Sequence, residues 1–412
     1  MKARIASAAL TALCCSWGCG DGIPVTPPAE AAATSAVATS EAELGAGGDA
    51  PPAALDPDAP TSTLEAPLDA WPLRFTSDTL AAIDDALFVG DELVLAGRVA
   101  DQVVLVRLAR GADKVPAVVE RVARVASVER VVLANNGDRA AALWIADGHL
   151  EAVPLGKTLG DAAPLRVSGE EGGQLTGTPV VAESLDGLVA CAADSNGPTC
   201  FELGADLGLV GARPLGKRAG GRPVALMPTS AGFVLVLGDC RNASCGRVDL
   251  DAVALDDHGL AGKRRALPEI QLERGTAFVP EDDGFVLVAR RVGAGEHSAW
   301  RVGVDGAREL DGRFSRVVGG FSWGGRTLLV ERSHLVMRKG FPVRGYQIRP
   351  LPAGVRRAKA TDRVAREALP GTVAEALPSD ADQTFSGHDD TLLFVAPLRK
   401  GKLEAAAVRL MP

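Results

Sequence analysis

Gly320-Phe321-Ser322-Trp323-Gly324 matches a catalytic spacing, G-x-S-x-G. In that pattern the serine sits on a sharp strand-to-helix turn, which exposes its hydroxyl and lets backbone N–H groups meet a developing oxyanion. Here the sequel, Gly325-Arg326-Thr327-Leu328-Leu329-Val330, reads as another strand, so the expectation is a hairpin. Asp362, Asp380 or Asp382 could precede His388 in the required acid-then-histidine order, whereas Asp389 follows it. Only ninety residues follow Ser322, too few for the domain such an elbow belongs to.

Four cysteines lie in the body of the chain: Cys191, Cys200, Cys240 and Cys245. Each pair falls where one expected strand ends and the next begins, so each can bridge its own hairpin. Two local disulfides, Cys191–Cys200 and Cys240–Cys245, are therefore expected in an oxidising compartment. The alternative, a four-cysteine zinc site, calls for closer pairs than these spacings provide. The five histidines, His149, His258, His297, His334 and His388, are dispersed, with no paired-ligand motif. Asp194-Ser195-Asn196-Gly197 has the composition of a calcium loop but lacks its distal glutamate, and reads as a turn. No catalytic residue, metal or cofactor is assigned from these patterns.

The elements that would carry such residues begin after a long N-terminal approach. Met1-Lys2-Ala3-Arg4 is basic, and Ile5–Trp17 is an apolar run of thirteen residues, too short to cross a bilayer. Residues 1–18 read as a signal peptide. Ser16-Trp17-Gly18-Cys19 resembles the lipobox of bacterial lipoproteins, and the resemblance implies that Cys19 is lipidated and becomes the first mature residue. Export is expected with or without lipidation. Residues 21–70 hold eight prolines, fourteen alanines, nine acids, no Lys or Arg and no aromatic residue through Ala70. Such a stretch buries too little apolar surface to offset its ordering entropy, so 19–70 reads as a disordered acidic tether. A lipidated cysteine at its head would be the only link to a membrane.

The tether accounts for the acidity of the chain. The net charge is −8, and the first seventy residues carry −7 of it, leaving about −1 for residues 71–412. A nearly neutral body offers no basic face for nucleic acid or anionic lipid.

Residues 71–412 repeat one pattern: an apolar strand, a turn, a short apolar run, a polar turn and an alternating strand. The second-strand runs are Leu93-Val94-Leu95, Ala142-Leu143-Trp144-Ile145, Leu188-Val189-Ala190, Phe233-Val234-Leu235-Val236, Phe285-Val286-Leu287-Val288, Leu328-Leu329-Val330 and Leu392-Leu393-Phe394-Val395. First strands are expected at Leu87-Phe88-Val89, Val131-Val132-Leu133, Val180-Val181, Ala225-Leu226-Met227, Ala277-Phe278-Val279 and Val317-Val318. Turn chemistry such as Gly90-Asp91, Asp186-Gly187 and Asp283-Gly284 separates the two sets. Third strands alternate, as in Cys200-Phe201-Glu202-Leu203 and Arg247-Val248-Asp249-Leu250. Continuous apolar runs suit strands covered on both faces, and alternation suits strands nearer the rim. The pattern resembles the broad β-propeller class, an all-β fold, with seven blades expected. An irregular last interval leaves six or eight open. Thr361–Leu377 can hold a helix or a strand pair, and Pro116 and the valines of Val115–Val132 favour a strand over a helix. A strand near Trp71–Phe75 is expected to complete the sheet containing Leu392–Val395 and Ala405–Leu410, leaving no free edge.

The functional expectation is a non-catalytic binding or scaffolding protein of the cell envelope, with a protein or polysaccharide partner. The alternative is a propeller-housed enzyme, a glycan lyase or hydrolase, using dispersed loop residues at the channel mouth. One tyrosine and five tryptophans argue against a sugar-stacking platform. Loops joining second to third strands are the expected docking face: Ala192–Thr199, Arg241–Ser244, Arg290–Ser298 and Arg332–Arg344, with Arg290, Arg291, Glu296 and His297 as contacts.

Overall fold

Leu93, Val94, Leu95 and Ala96 are consecutive and all fully buried. Side chains alternate across a strand, so this is possible only where both faces of the sheet are covered. In the computed structural model, Leu93 and Leu95 belong to one apolar cluster and Val94 and Ala96 to another. The structure describes residues 68–410 apart from 91, 110–117, 125–127, 137–138, 156–163, 168–173, 217–220, 241–246, 257–260, 273–275, 304–305, 315–316, 324–325, 339–340, 352–366, 369–382, 389–390 and 397.

The protein is all-β among the described residues. Strand β1 (Leu68–Thr76) comes first, followed by the antiparallel sheet β2 (Ala82–Val89), β3 (Glu92–Val99), β4 (Gln102–Ala109) and β5 (Val118–Arg124). The next sheet is β6 (Val132–Asn136), β7 (Arg139–Ala146), β8 (His149–Pro154) and β9 (Leu165–Arg166). A third is β10 (Leu175–Glu183), β11 (Gly187–Asp194), β12 (Thr199–Gly204) and β13 (Leu209–Pro214). Then come β14 (Arg222–Thr229), β15 (Gly232–Cys240), β16 (Val248–Leu255) and β17 (Ala261–Ala266). The short β18 (Ile270–Gln271) joins that set to β19 (Ala277–Glu281), β20 (Gly284–Arg291), β21 (His297–Gly303) and β22 (Gly306–Phe314), because Ile270 pairs with both Val248 and Arg291. The chain ends with β23 (Val317–Trp323), β24 (Arg326–Arg338), β25 (Phe341–Pro350) and β26 (Glu367–Ala368), then β27 (Gln383–His388), β28 (Thr391–Val395) and β29 (Lys402–Leu410).

All seven apolar runs fall on second strands, and the Trp71–Phe75 strand pairs with β29 as expected, with Leu68 opposite Leu410 and Thr76 opposite Lys402. The first strands pack in sequence: β2 on β6, β6 on β10, β10 on β14, β14 on β19, β19 on β23, β23 on β27, and β27 back on β2. Apolar clusters fill the space between neighbouring sheets, with Leu143 and Ile145 of β7 facing one neighbour and Ala142 and Trp144 the other. Val118–Arg124 is a strand, as the proline and valines favour. Glu367–Ala368 is a strand too, while the rest of Thr361–Leu377 lies outside the described residues. One expectation is corrected. Arg332–Arg344 is not a plain loop, because β24 runs past its last partner on β23, Glu331 opposite Val317, and continues to Arg338 in a ribbon with β25.

The strand directions define two faces. First-to-second-strand turns, such as Val89 to Glu92, lie on a turn face, together with Leu68 and Leu410. Second-to-third-strand hairpins, the crossovers between sheets and the free end of the β24–β25 ribbon lie on the opposite, loop face. In two of the loop-face hairpins, consecutive residues are left-handed, Asp147-Gly148 and Lys400-Gly401 (φ 49° and 79°, 49° and 68°), where glycine in the second position costs no Cβ clash.

Candidate functional site

The residues expected to contact a partner lie on the β20–β21 hairpin, where Arg290 pairs across the ladder with His297. Arg291 and Glu296 are exposed at its tip, and Arg290 is half-buried. His297 is 3% exposed, so it faces the interior of the fold and not a partner. Burial lowers its pKa to about 4, helped by the charge of Arg290, and the imidazole is neutral at pH 7. The Arg291 guanidinium lies 5.3 Å from the Trp300 ring centre and donates from Nη2 to Glu309 Oε2 at 2.5 Å. Of the four, Arg291 and Glu296 remain as surface groups.

Cys191 and Cys200 form a disulfide across directly opposed positions of β11 and β12, with Cα atoms 4.0 Å apart. It braces the Ala192–Thr199 hairpin on the loop face. Cys240 is also disulfide-bonded, and Cys245, its expected partner, lies outside the described residues, as does Cys19. Ser322 sits in β23 opposite Thr327 of β24, so the G-x-S-x-G segment is a strand leading into a strand and lacks the helix an elbow needs. Among the described residues no group of three His, Cys, Asp or Glu side chains is arranged to hold a metal ion.

A polar cluster that the sequence patterns did not single out lies beneath the loop face, between β2 and β6. Asp84 and Asp85 are 4% and 2% exposed. Register between β2 and β3 shifts between Ile83 and Asp85, so Asp84 has no direct partner on β3 and is a bulge residue. Opposite Ile83 stands Gly97, where an added Cβ would lie 2.0 Å from the Ala82 carbonyl oxygen. The bulge thus depends on that glycine.

Both carboxylates reach the neighbouring sheet. The Val131 amide donates to Asp84 Oδ2 at 3.1 Å, and the Leu133 amide to Asp85 Oδ2 at 2.9 Å. Leu133 lies on β6, an edge strand of its sheet, and Val131 immediately precedes that strand, so the acids supply acceptors that a further strand would otherwise provide. Arg98 forks onto Asp84, with Nε to Oδ2 at 2.8 Å and Nη2 to Oδ1 at 3.0 Å, while its Nη1 donates to the Val128 carbonyl at 3.2 Å. Arg130 donates to the Asp84 backbone carbonyl from Nε at 3.1 Å and Nη2 at 2.6 Å. Burial raises the pKa of both acids, Asp85 to about 7, against the opposing charges of Arg98 and Arg130 at Asp84 and of Arg130 at Asp85. An adjacent acid pair inside an otherwise apolar first strand was the available signal. A second tie between sheets joins Glu281 to Arg301 (2.6 and 3.1 Å) and to the Thr327 hydroxyl of β24 (2.8 Å).

No family model and no curated protein matches the chain. Solved structures do. A puromycin-hydrolysing peptidase of Mycobacterium tuberculosis is similar over 80% of this chain at 11% identity and a TM-score of 0.45, and the chain spans about half of it, 52%. Kluyveromyces lactis Hsv2 is similar over 77% of this chain and 91% of its own, at 9% identity and a TM-score of 0.40. An α-L-arabinofuranosidase of Clostridium thermocellum is similar over 57% of this chain and 96% of its own, at 10% identity and a TM-score of 0.35. Likenesses this distant assign no activity.

Proposed function

We propose that this chain is a seven-bladed β-propeller, tethered in the bacterial cell envelope through a lipid on Cys19, that serves as a non-catalytic binding or scaffolding module. The blade count is supported by the seven first strands that pack in succession, with β27 returning to β2. The single observation that carries the functional reading is the register of β1. Leu68, where the tether joins the described fold, is opposite Leu410 on the turn face. A tether entering at the turn face would not run across the loop face, which stays open to a partner. That face carries the disulfide-braced β11–β12 hairpin, the exposed Arg291 and Glu296, and the β24–β25 ribbon. Rigid hairpins lose little entropy on binding, which suits a docking surface for a protein or polysaccharide.

Two experiments test this. Cys19→Ala should release the mature protein from the membrane fraction or stall its processing; unchanged fractionation and an unchanged N-terminal peptide mass would remove the anchor from the proposal. Once a partner is captured with the full mature protein, Arg291→Ala and Glu296→Ala should weaken binding. Asp186→Ala and Asp283→Ala, at exposed positions on the turn face, should not. The opposite pattern would assign docking to the turn face.

A further inference from the structure

We propose that the seam between β2 and β6 is a proton-sensitive latch, in which Asp84 and Asp85 hold the second sheet by its Val131 and Leu133 amides and the protonation state of Asp85 sets how tightly the seam closes.

The fold itself does not require these carboxylates. In the bulged first strands β14 and β23 the register shift falls at the same distance from the hairpin, and the corresponding residues are Val224-Ala225 and Val318-Gly319. Those strands carry no acid at these two positions, although Glu331 of β24 is buried opposite Val317. Replacing an apolar pair with two acids under the loop face costs desolvation, and the hydrogen bonds offset that cost only while the seam is shut. When the seam opens, water reaches Asp85 and its proton affinity returns toward the ordinary carboxylate value.

Among the described residues the charged groups around Asp85 are few. Asp84 lies beside it on β2, Arg98 comes from β3 and pairs with Asp84, and Arg130 comes from the segment leading into β6. Between Gln383 and Ser386, β27 carries no ionisable residue, and His388 is at its other end. Strand β28 carries none, and Arg409 of β29 lies over Phe88, toward the turn face. Arg130 is therefore the charge that opposes burial most at Asp85, followed by the Leu133 and Ala86 amides, and Asp84 works in the other direction.

The sign follows from linkage. In the closed seam Asp85 titrates near pH 7, against an ordinary value of 3.8. Between those values the closed form holds a proton that the open form releases, which favours closure. That advantage is lost as pH rises through 7, so the latch is tightest in mild acid and loosest above neutrality.

Amide hydrogen exchange in the full-length protein reads this directly. After correction for intrinsic rates, protection of Val131 and Leu133 should fall roughly tenfold or more between pH 5.5 and 8. In Asp85→Asn, which cannot ionise, the fall should disappear, while amides around Thr327 should behave alike in both proteins. A pH slope that persists in Asp85→Asn, or no slope in the wild type, overturns the proposal. Should Asp85→Asn fail to fold, the wild-type Asp85 carboxyl resonance decides: a midpoint near 7 supports the latch and one below 5 overturns it.

Discussion

Asp84 is the residue whose loss would be felt most widely, because one side chain meets a guanidinium on its own sheet and an amide on the next. Asp84→Ala would leave Arg98 part-buried without its fork and the Val131 amide without its acceptor. Breaking one partner of a buried pair typically costs about 3–5 kcal/mol, and equilibrium urea unfolding should register a loss of that size. Gly97→Ala acts from the other side of the bulge. Its Cβ has no room against the Ala82 carbonyl, so a loss of about 1–3 kcal/mol is expected, and with it weaker protection of the Val131 amide. His297 gives a separate pH signature. Its folded pKa is depressed, so its neutral form is fully favoured above about pH 6.5 and that stability is lost as pH falls toward 4. His297→Gln should flatten the wild-type decline of the thermal midpoint in that window. Because Asp85 favours the fold in the same acidic range, the two contributions separate only through the single variants.

At the scale of elements, the second strands were legible because burial on both faces writes itself as an unbroken apolar run, as at Leu392-Leu393-Phe394-Val395. Cys191 and Cys200 were legible because each sits in its own hairpin strand. Removing that bridge with Cys191→Ala and Cys200→Ala should cost at most roughly 2–3 kcal/mol, since the closed ring is short; a larger drop in urea unfolding would mean that the cysteines also pack the interface with Leu235 and Val253. The β24–β25 ribbon was less legible. Its continuation beyond Glu331 has no first strand beside it, so no repeat unit predicts it. The Asp84–Asp85 pair escaped for a related reason. Acids in a strand read as surface or turn, and their acceptor role depends on amides nearly fifty residues away and on a bulge that local periodicity does not encode.

At the scale of the whole molecule, one sheet joins the first described strand, β1, to the last, β29. Deleting residues 68–76 would uncover β29 along its full paired length, from Lys402 to Leu410, and expose Leu403, Ala405 and Ala407 beside it. The thermal midpoint should fall sharply, whereas deleting 22–60 should leave it unchanged; equal midpoints would show that β1 adds nothing to stability.

The same pairing has a consequence for biogenesis. Because β1 precedes every other described strand and its partner β29 follows them all, β1 waits unpaired while the strands between them emerge. During that interval the unpaired β1 of one chain can meet a newly emerged β29 of another, which it fits equally well at the same register. Crowded synthesis therefore favours exchange of the N-terminal strand between molecules, giving a swapped dimer in which each body is complete but covalently begins in its neighbour.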